Sequence, residues 1–182
     1  MIGIICSGDR EVAPFIPLIN NCAISEKSML KFYSGEIEKT PIVTLFCGVC
    51  KTNAAIATQI LINTYGCDVI INAGTAGGID DSVELLDTVV SVESAYWDVH
   101  EDILTEFHPW METIYFKADL ELLAVAKKVA AKSKFPEKIH FGRMVTGESF
   151  IEDKYRSSLK AKFSPLCVDM ETASVAHVCY VN

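Results

Sequence analysis

Short apolar runs alternate along the chain with longer stretches in which apolar residues recur at helical spacing. Residues 2–6 (IGIIC), 69–72 (VIIN) and 167–169 (CVD) read as buried strands. Residues 30–37 and 42–47 read as two strands joined by a turn at Glu38-Lys39-Thr40-Pro41. Residues 88–92 and 139–145 are further strands. Helical spacing marks 51–65, where Ala54, Ala55, Ala57, Ile60, Leu61 and Thr64 share one side, and 120–131. Helices are also predicted over 11–19, with Asp9 near its start and Pro14 in an early turn, over 154–162 and over 171–180. Residues 97–115 are polar and aromatic without a clean period and read as a long surface loop. Strands separated by helices predict one α/β domain over residues 1–182, with a central mixed β-sheet flanked by helices. In such sheets a ligand sits beyond the carboxyl ends of the strands. Several glycine-rich or acidic segments of this chain fall there.

Composition narrows the function. The chain has 182 residues, half of them apolar and 22% charged, which suits a globular protein with a sizeable core. The net charge of -8 would repel a phosphate backbone, and no Lys/Arg-rich run offsets it, so nucleic acid is a poor partner. No apolar run approaches the length of a membrane helix, and the apolar start is too short for a secretory signal. Seven cysteines, an odd number and mostly inside apolar runs, fit reduced, buried thiols in a cytoplasmic protein.

Four segments could carry chemistry. The loop of residues 72–78 (NAGTAGG) follows a strand, and its small residues allow a ligand to approach the backbone; a tight structural turn would look the same. It is not GxGxxG and no P-loop lysine follows. Residues 168–173 (VDMETA) place an acid-Met-acid sequence where a strand enters a helix. Met170 offers a flexible surface for a flat ring, and Glu171, held ionised by the helix dipole, suits the vicinal hydroxyls of a ribose. The same acids would also serve as helix caps. Glu11, just after the first strand, could take a proton from water, or could simply be an acid favoured in a first helical turn. Cys47-Gly48-Val49-Cys50 has the spacing of a thiol redox motif, against a plain glycine turn. His100, His108, His140 and His177 show no pairing that would hold zinc, and no metal or cofactor is expected.

Taken together, Ile2-Gly3-Ile4-Ile5 with Glu11-Val12, residues 47–55 (CGVCKTNAA), 68–78 (DVIINAGTAGG), 147–151 (GESFI) and 168–179 (VDMETASVAHVC) occur in an order that resembles the 5′-methylthioadenosine/S-adenosylhomocysteine nucleosidases of the nucleoside phosphorylase superfamily. The resemblance implies a nucleoside phosphorylase-like fold and hydrolysis of the N-glycosidic bond of a purine nucleoside with release of adenine. It implies a role in methionine salvage and a homodimer. It makes Glu11 the base that activates water. It puts Thr75, Ala76 and Gly77 beside ribose and base, Phe150 and Ile151 on adenine, and Val49 on the sugar or the 5′-thio side. Met170 and Glu171 would hold the ribose, with Glu171 taking the 2′- and 3′-hydroxyls, and Asp169 is among the substrate-binding residues. The family's catalytic acid is an aspartate in a later strand, which lies past residue 182. A chain ending there is expected to lack the last strand and helix of the fold and to have little activity of its own. The family often has Arg-Tyr-His-Asp where this chain has Ala95-Tyr96-Trp97-Asp98. Phosphorolysis stays open through Arg10 and Arg143, although Asn72 stands where related phosphorylases often have arginine. A non-catalytic nucleoside-binding protein is a third reading, and a thiol redox protein a distant fourth.

Overall fold

The computed structural model describes residues 1–107 and 111–182. Its backbone groups into two compact units, Met1–Thr75 with His177–Asn182, and Ala76–Ala176. The mixed sheet expected from the sequence is realised as two mixed sheets of five strands each, with helices flanking them.

The first unit contains β1 (Ile2–Cys6), α1 (Asp9–Val12), a 3₁₀ turn (Ile16–Leu18), β2 (Asn20–Lys27), β3 (Leu30–Ile37), β4 (Thr40–Phe46), α2 (Lys51–Tyr65) and β5 (Val69–Asn72). The sheet order is β2-β3-β4-β1-β5. β1 runs parallel to both β4 and β5, while β2, β3 and β4 form antiparallel hairpins. Both hairpin turns, Ser28-Met29 and Glu38-Lys39, have positive φ at their two central residues. That is the mirror-type turn whose twist matches the strands it joins. β2 was not legible because all its residues are exposed, so it carries no alternation. It lies at one edge of this sheet, and its register against β3 shifts between Asn20 and Ala23, where Asn21 has φ +54°.

The helix expected over 11–19 does not form. α1 ends at Val12, and the chain continues through Pro14 to a 3₁₀ turn that contains Pro17. Proline cannot donate to a helical ladder, and two of them divide the segment. α2 forms as predicted and ends at Gly66 in the left-handed conformation. Its buried face is Ala54, Ala57, Thr58, Ile60 and Leu61; Thr64 is exposed. Thr58 enters the core because its hydroxyl donates to the Ala54 carbonyl at 2.7 Å.

The second unit contains β6 (Gly77–Gly78), β7 (Thr88–Tyr96), α3 (Glu101–Phe107), β8 (Phe116–Lys117), α4 (Leu120–Ala130), a 3₁₀ turn (Pro136–Lys138), β9 (Ile139–Thr146), α5 (Asp153–Phe163), β10 (Cys167–Asp169) and α6 (Thr172–Val181), whose last turns belong to the first unit. The sheet order is β6-β10-β9-β7-β8, with β7, β9 and β10 parallel. Ile79, Ala95, Val145, Leu159, Phe163 and Val168 form its core. The loop expected over 97–115 contains α3, and Met111 is buried against Tyr96, Phe116 and Ala173. Residues 108–110, which include His108 and part of that loop, lie outside the described residues.

All seven cysteines are thiols outside any disulfide. Cys6, Cys47, Cys67 and Cys167 are buried as expected, whereas Cys22 and Cys179 are exposed. Burial pushes the Cys6 and Cys167 thiols up to about 12. Among the described residues no helix is long and apolar enough to cross a membrane, and no cluster of ligating side chains could hold a metal.

Candidate active site

In the first unit the loops that leave β1, β4 and β5 emerge at the same end of a parallel trio. Parallel pairing sets Ile5 against Asn72 and Leu45, and the ladder continues through Cys47 N–H to Cys6 O and Ala73 N–H to Ile5 O, both at 2.8 Å. This is the carboxyl end of the sheet, where ligands collect in α/β folds. Glu11, Val49 and Thr75 all lie on these loops.

Glu11 is half-buried, and its carboxylate is gripped from two sides. Oε2 accepts from Ser7 N–H at 2.9 Å, Ser7 Oγ at 2.7 Å and Gly8 N–H at 3.0 Å. Oε1 accepts from Thr75 N–H and Thr75 Oγ, both at 2.7 Å. The Ser7 and Gly8 contacts are a local cap on α1, but Thr75 comes from the end of a different strand, which a cap does not require. Burial pushes the carboxyl pKa up; the hydrogen bonds from Ser7, Thr75 and Gly8 outweigh it and hold Glu11 below its ordinary value. Gly74 permits this packing: a Cβ there would stand 2.9 Å from both carboxylate oxygens. The sequence pointed to Glu11, to Thr75 and to the small-residue loop that contains Gly74, but not to Ser7, which has no motif of its own.

Val49 is exposed in the turn before α2, and its carbonyl accepts from the Asn53 side chain at 2.8 Å. Cys50, the residue that precedes α2, has φ +90° and ψ 158°, a region that essentially only glycine occupies. Cys47 is 4% exposed and its thiol donates to the Gly48 carbonyl at 3.0 Å, so it is not presented for exchange with another thiol.

The second unit also holds a parallel trio, here with an antiparallel strand on each side. β7, β9 and β10 end together at Tyr96, Thr146 and Asp169. The Asp169 carboxylate is taken up by its own chain. Oδ1 accepts from Thr146 Oγ at 2.5 Å, and Oδ2 accepts from Thr172 N–H at 2.9 Å and from the Thr172 hydroxyl. Thr146 Oγ in turn accepts from Ala173 N–H at 2.9 Å. Asp169 therefore caps α6, the structural one of its two sequence readings, and it fixes the two residues that follow. Those are Met170, half-buried, and Glu171, which is 5% exposed at the mouth of α6. Phe150 is 88% exposed on the loop after β9, and Ile151 packs against the core cluster. Gly77 pairs antiparallel with Val168, while Ala76 and Gly77 are open to solvent. Arg156 of α5 donates to the carbonyls of Gly78 at 2.7 Å and Ile79 at 3.1 Å and so ties down the chain that leaves this loop.

Of the two arginines that kept phosphorolysis open, Arg143 is occupied by the chain itself. Arg143 donates to Glu93 through Nε at 3.0 Å and through a terminal nitrogen at 2.6 Å, donates to the Phe163 carbonyl, and stacks over Tyr115 at 4.5 Å. It has little left for an anion. Arg10 is exposed on α1.

Parallel strands with helical crossovers, antiparallel extensions at the sheet edges and acidic residues at the strand ends make this a phosphorylase-type α/β scaffold. The Phosphorylase superfamily profile matches residues 1–182. The 5′-methylthioadenosine/S-adenosylhomocysteine nucleosidase of Halalkalibacterium halodurans is 37% identical, with 98% of this chain and 78% of the relative covered. That of Staphylococcus carnosus is 35% identical, with 99% and 80% covered. A crystal structure of S-adenosylhomocysteine nucleosidase from Streptococcus pyogenes with 5-methylthiotubericidin superposes with a TM-score of 0.91 at 26% identity, covering 99% of this chain and 77% of that one. The nucleosidase from Colwellia psychrerythraea in complex with adenine gives 0.86 at 29% identity, with 99% and 76% covered. The chain belongs to the phosphorylase superfamily and, within it, to the 5′-methylthioadenosine/S-adenosylhomocysteine nucleosidase family.

Proposed function

We propose that this protein hydrolyses the N-glycosidic bond of methylthioadenosine- or S-adenosylhomocysteine-type nucleosides and releases adenine. One observation carries the reading: a carboxylate kept ionised by Ser7, Gly8 and Thr75 at the carboxyl end of a parallel sheet. The chemistry needs such a group. Cleavage of C1′–N9 leaves its electron pair on adenine and an oxocarbenium-like cation on the ribose. Water adds at C1′, its proton passes to Glu11, and the leaving base takes a proton from the aspartate that the family resemblance assigns to a later strand. Glu171 takes the ribose hydroxyls, with Met170 against the sugar and Asp169 acting through both by capping α6. Phe150 stacks on adenine, Ile151 presents its backbone to the ring edge, and Thr75, Ala76 and Gly77 pass beside sugar and base. Val49 lines the 5′ side. The relatives named above carry this activity in their names, and one relative's structure holds adenine.

The test is adenine release from methylthioadenosine, followed chromatographically with and without phosphate. In the protein that carries the family's later aspartate, release without phosphate that falls on the order of 10² to 10⁴-fold in Glu11→Gln is expected. Release that requires phosphate would assign phosphorolysis. Calorimetric binding of adenine without any turnover would make the chain a nucleoside-binding protein.

The same reading places the protein in the cytoplasm, in methionine salvage, as a homodimer. Exposed apolar side chains on α4 (Leu122, Val125 and Val129) and on α2 (Ile56) support association. Sedimentation equilibrium is expected to give twice the protomer mass of 20.0 kDa; a monomer at micromolar concentration would overturn it.

A further inference from the structure

The chain leaves β9 at Thr146 and turns before it reaches Phe150 and Ile151. Three contacts fix that turn. Gly147 N–H donates to the Asp169 carbonyl at 3.1 Å. Glu148 N–H donates to the Asp98 carboxylate at 2.9 Å. The edge of the Trp97 indole presses on Gly147, where a Cβ would stand 2.3 Å from Nε1 and 2.4 Å from Cε2. No side chain fits at 147 unless the indole moves.

Trp97 is itself anchored. Its backbone N–H extends the β7–β9 ladder by donating to Thr146 O at 3.0 Å. Its ring packs on the cluster of Ile79, Ala95, Val145, Leu159, Phe163 and Val168, the same cluster that Ile151 packs on. The indole Nε1 is buried and finds no acceptor among the described residues. Buried donors are almost always paired, so this exception calls for a reason. The reason here is shape, because the ring forgoes a hydrogen bond to lie against a glycine backbone.

We propose that Trp97 and Asp98 are positioning residues for base recognition: they lock Gly147 and Glu148, and so set the register in which Phe150 and Ile151 meet an adenine ring. The proposal rests on the reading of Phe150 and Ile151 as the base-binding segment. Trp97 acts through its outline and Asp98 through the hydrogen bond it accepts from Glu148 N–H. Neither touches the ligand, so both can be altered while every group that meets the base is left in place.

Calorimetric titration with adenine, which needs no turnover, tests this, with thermal unfolding and circular dichroism measured on each variant. Asp98→Ala is expected to weaken adenine roughly tenfold, and Asp98→Asn, which keeps an acceptor, to stay within about twofold. Trp97→Phe keeps the flat outline and is expected to stay within about twofold, whereas Trp97→Ala loses roughly tenfold or more. Folded Asp98→Ala and Trp97→Ala that bind adenine like the parent, even with lowered melting temperatures, would overturn the proposal. If Trp97→Ala does not fold, Asp98→Ala decides alone, since that side chain is exposed. Phe150→Ala separates the two levels. Unchanged adenine affinity in that variant would sink the base-binding reading itself; weakened affinity there beside parental Asp98→Ala would sink only the positioning.

Discussion

Glu11 shows how a single side chain becomes chemically specific through its neighbours. Its lowered pKa means that the folded chain holds the ionised form better than the unfolded chain does. The base therefore stays competent below the ordinary glutamate value of about 4.3, and the acid limb of kcat/KM is expected below that pH. A limb near pH 6 would contradict it. Gly74→Ala puts a methyl group against both carboxylate oxygens. A displaced base costs on the order of 10²-fold in rate, measurable as adenine release with little change in melting temperature. Cys50 holds backbone strain of about 1–3 kcal/mol, so Cys50→Gly is expected to stabilise the chain by about 1 kcal/mol in urea unfolding, net of glycine's entropy cost. At this scale the sequence showed which residues had suitable chemistry, Glu11, Met170 and Glu171 among them. It did not show their partners. Ser7 acts through hydroxyl geometry and Trp97 through shape, neither of which leaves a pattern, and the small-residue loop of residues 72–78 did not say that Gly74 makes room for Glu11.

Elements with a strong period or clear end signals were legible. α2 runs from Lys51 to Tyr65 as read, because small and apolar residues line one face and Gly66 stops it. β10 covers Cys167–Asp169 as read. Elements without an amphipathic signature escaped. β2 has no buried face, and α3 lies in a stretch too aromatic and polar to show a period. The segment after β1 looked helical by composition but is divided by Pro14 and Pro17. α6 shows what a well-made helix start achieves. Asp169 joins Thr146, Thr172 and, through Thr146, the amide of Ala173. Asp169→Ala removes the cap and leaves Thr146 without its carboxylate partner, which should cost about 2–4 kcal/mol by urea denaturation. A loss below 0.5 kcal/mol would mean that the network is idle.

For the molecule as a whole, the α/β class and the mixed pairing were legible from the alternation of strand and helix, while the division into two sheets was not, since it depends on long-range pairing that no local pattern records. Acid stability is a property at this scale. Asp80 is held low by the Ser82 amide and hydroxyl, Asp87 by the Glu84 amide and His140, and Asp68 by the amino terminus. Each favours the folded state when ionised. Their stabilisation is present above the ordinary carboxylate range of about 4 and is lost as the pH falls through their lowered folded values. The urea midpoint is expected to hold from pH 7 to 5 and to begin to fall below 4.

The irregular register of β2 bears on a hazard that any open sheet carries. A flat, apolar margin invites strands of other molecules to add on and grow into fibrils. Here the margin is polar, carries Glu26 and Lys27, and is kinked at Asn21, so an incoming strand cannot keep step with it along its length. This rim of the protein is thereby guarded against templated aggregation by its own imperfection.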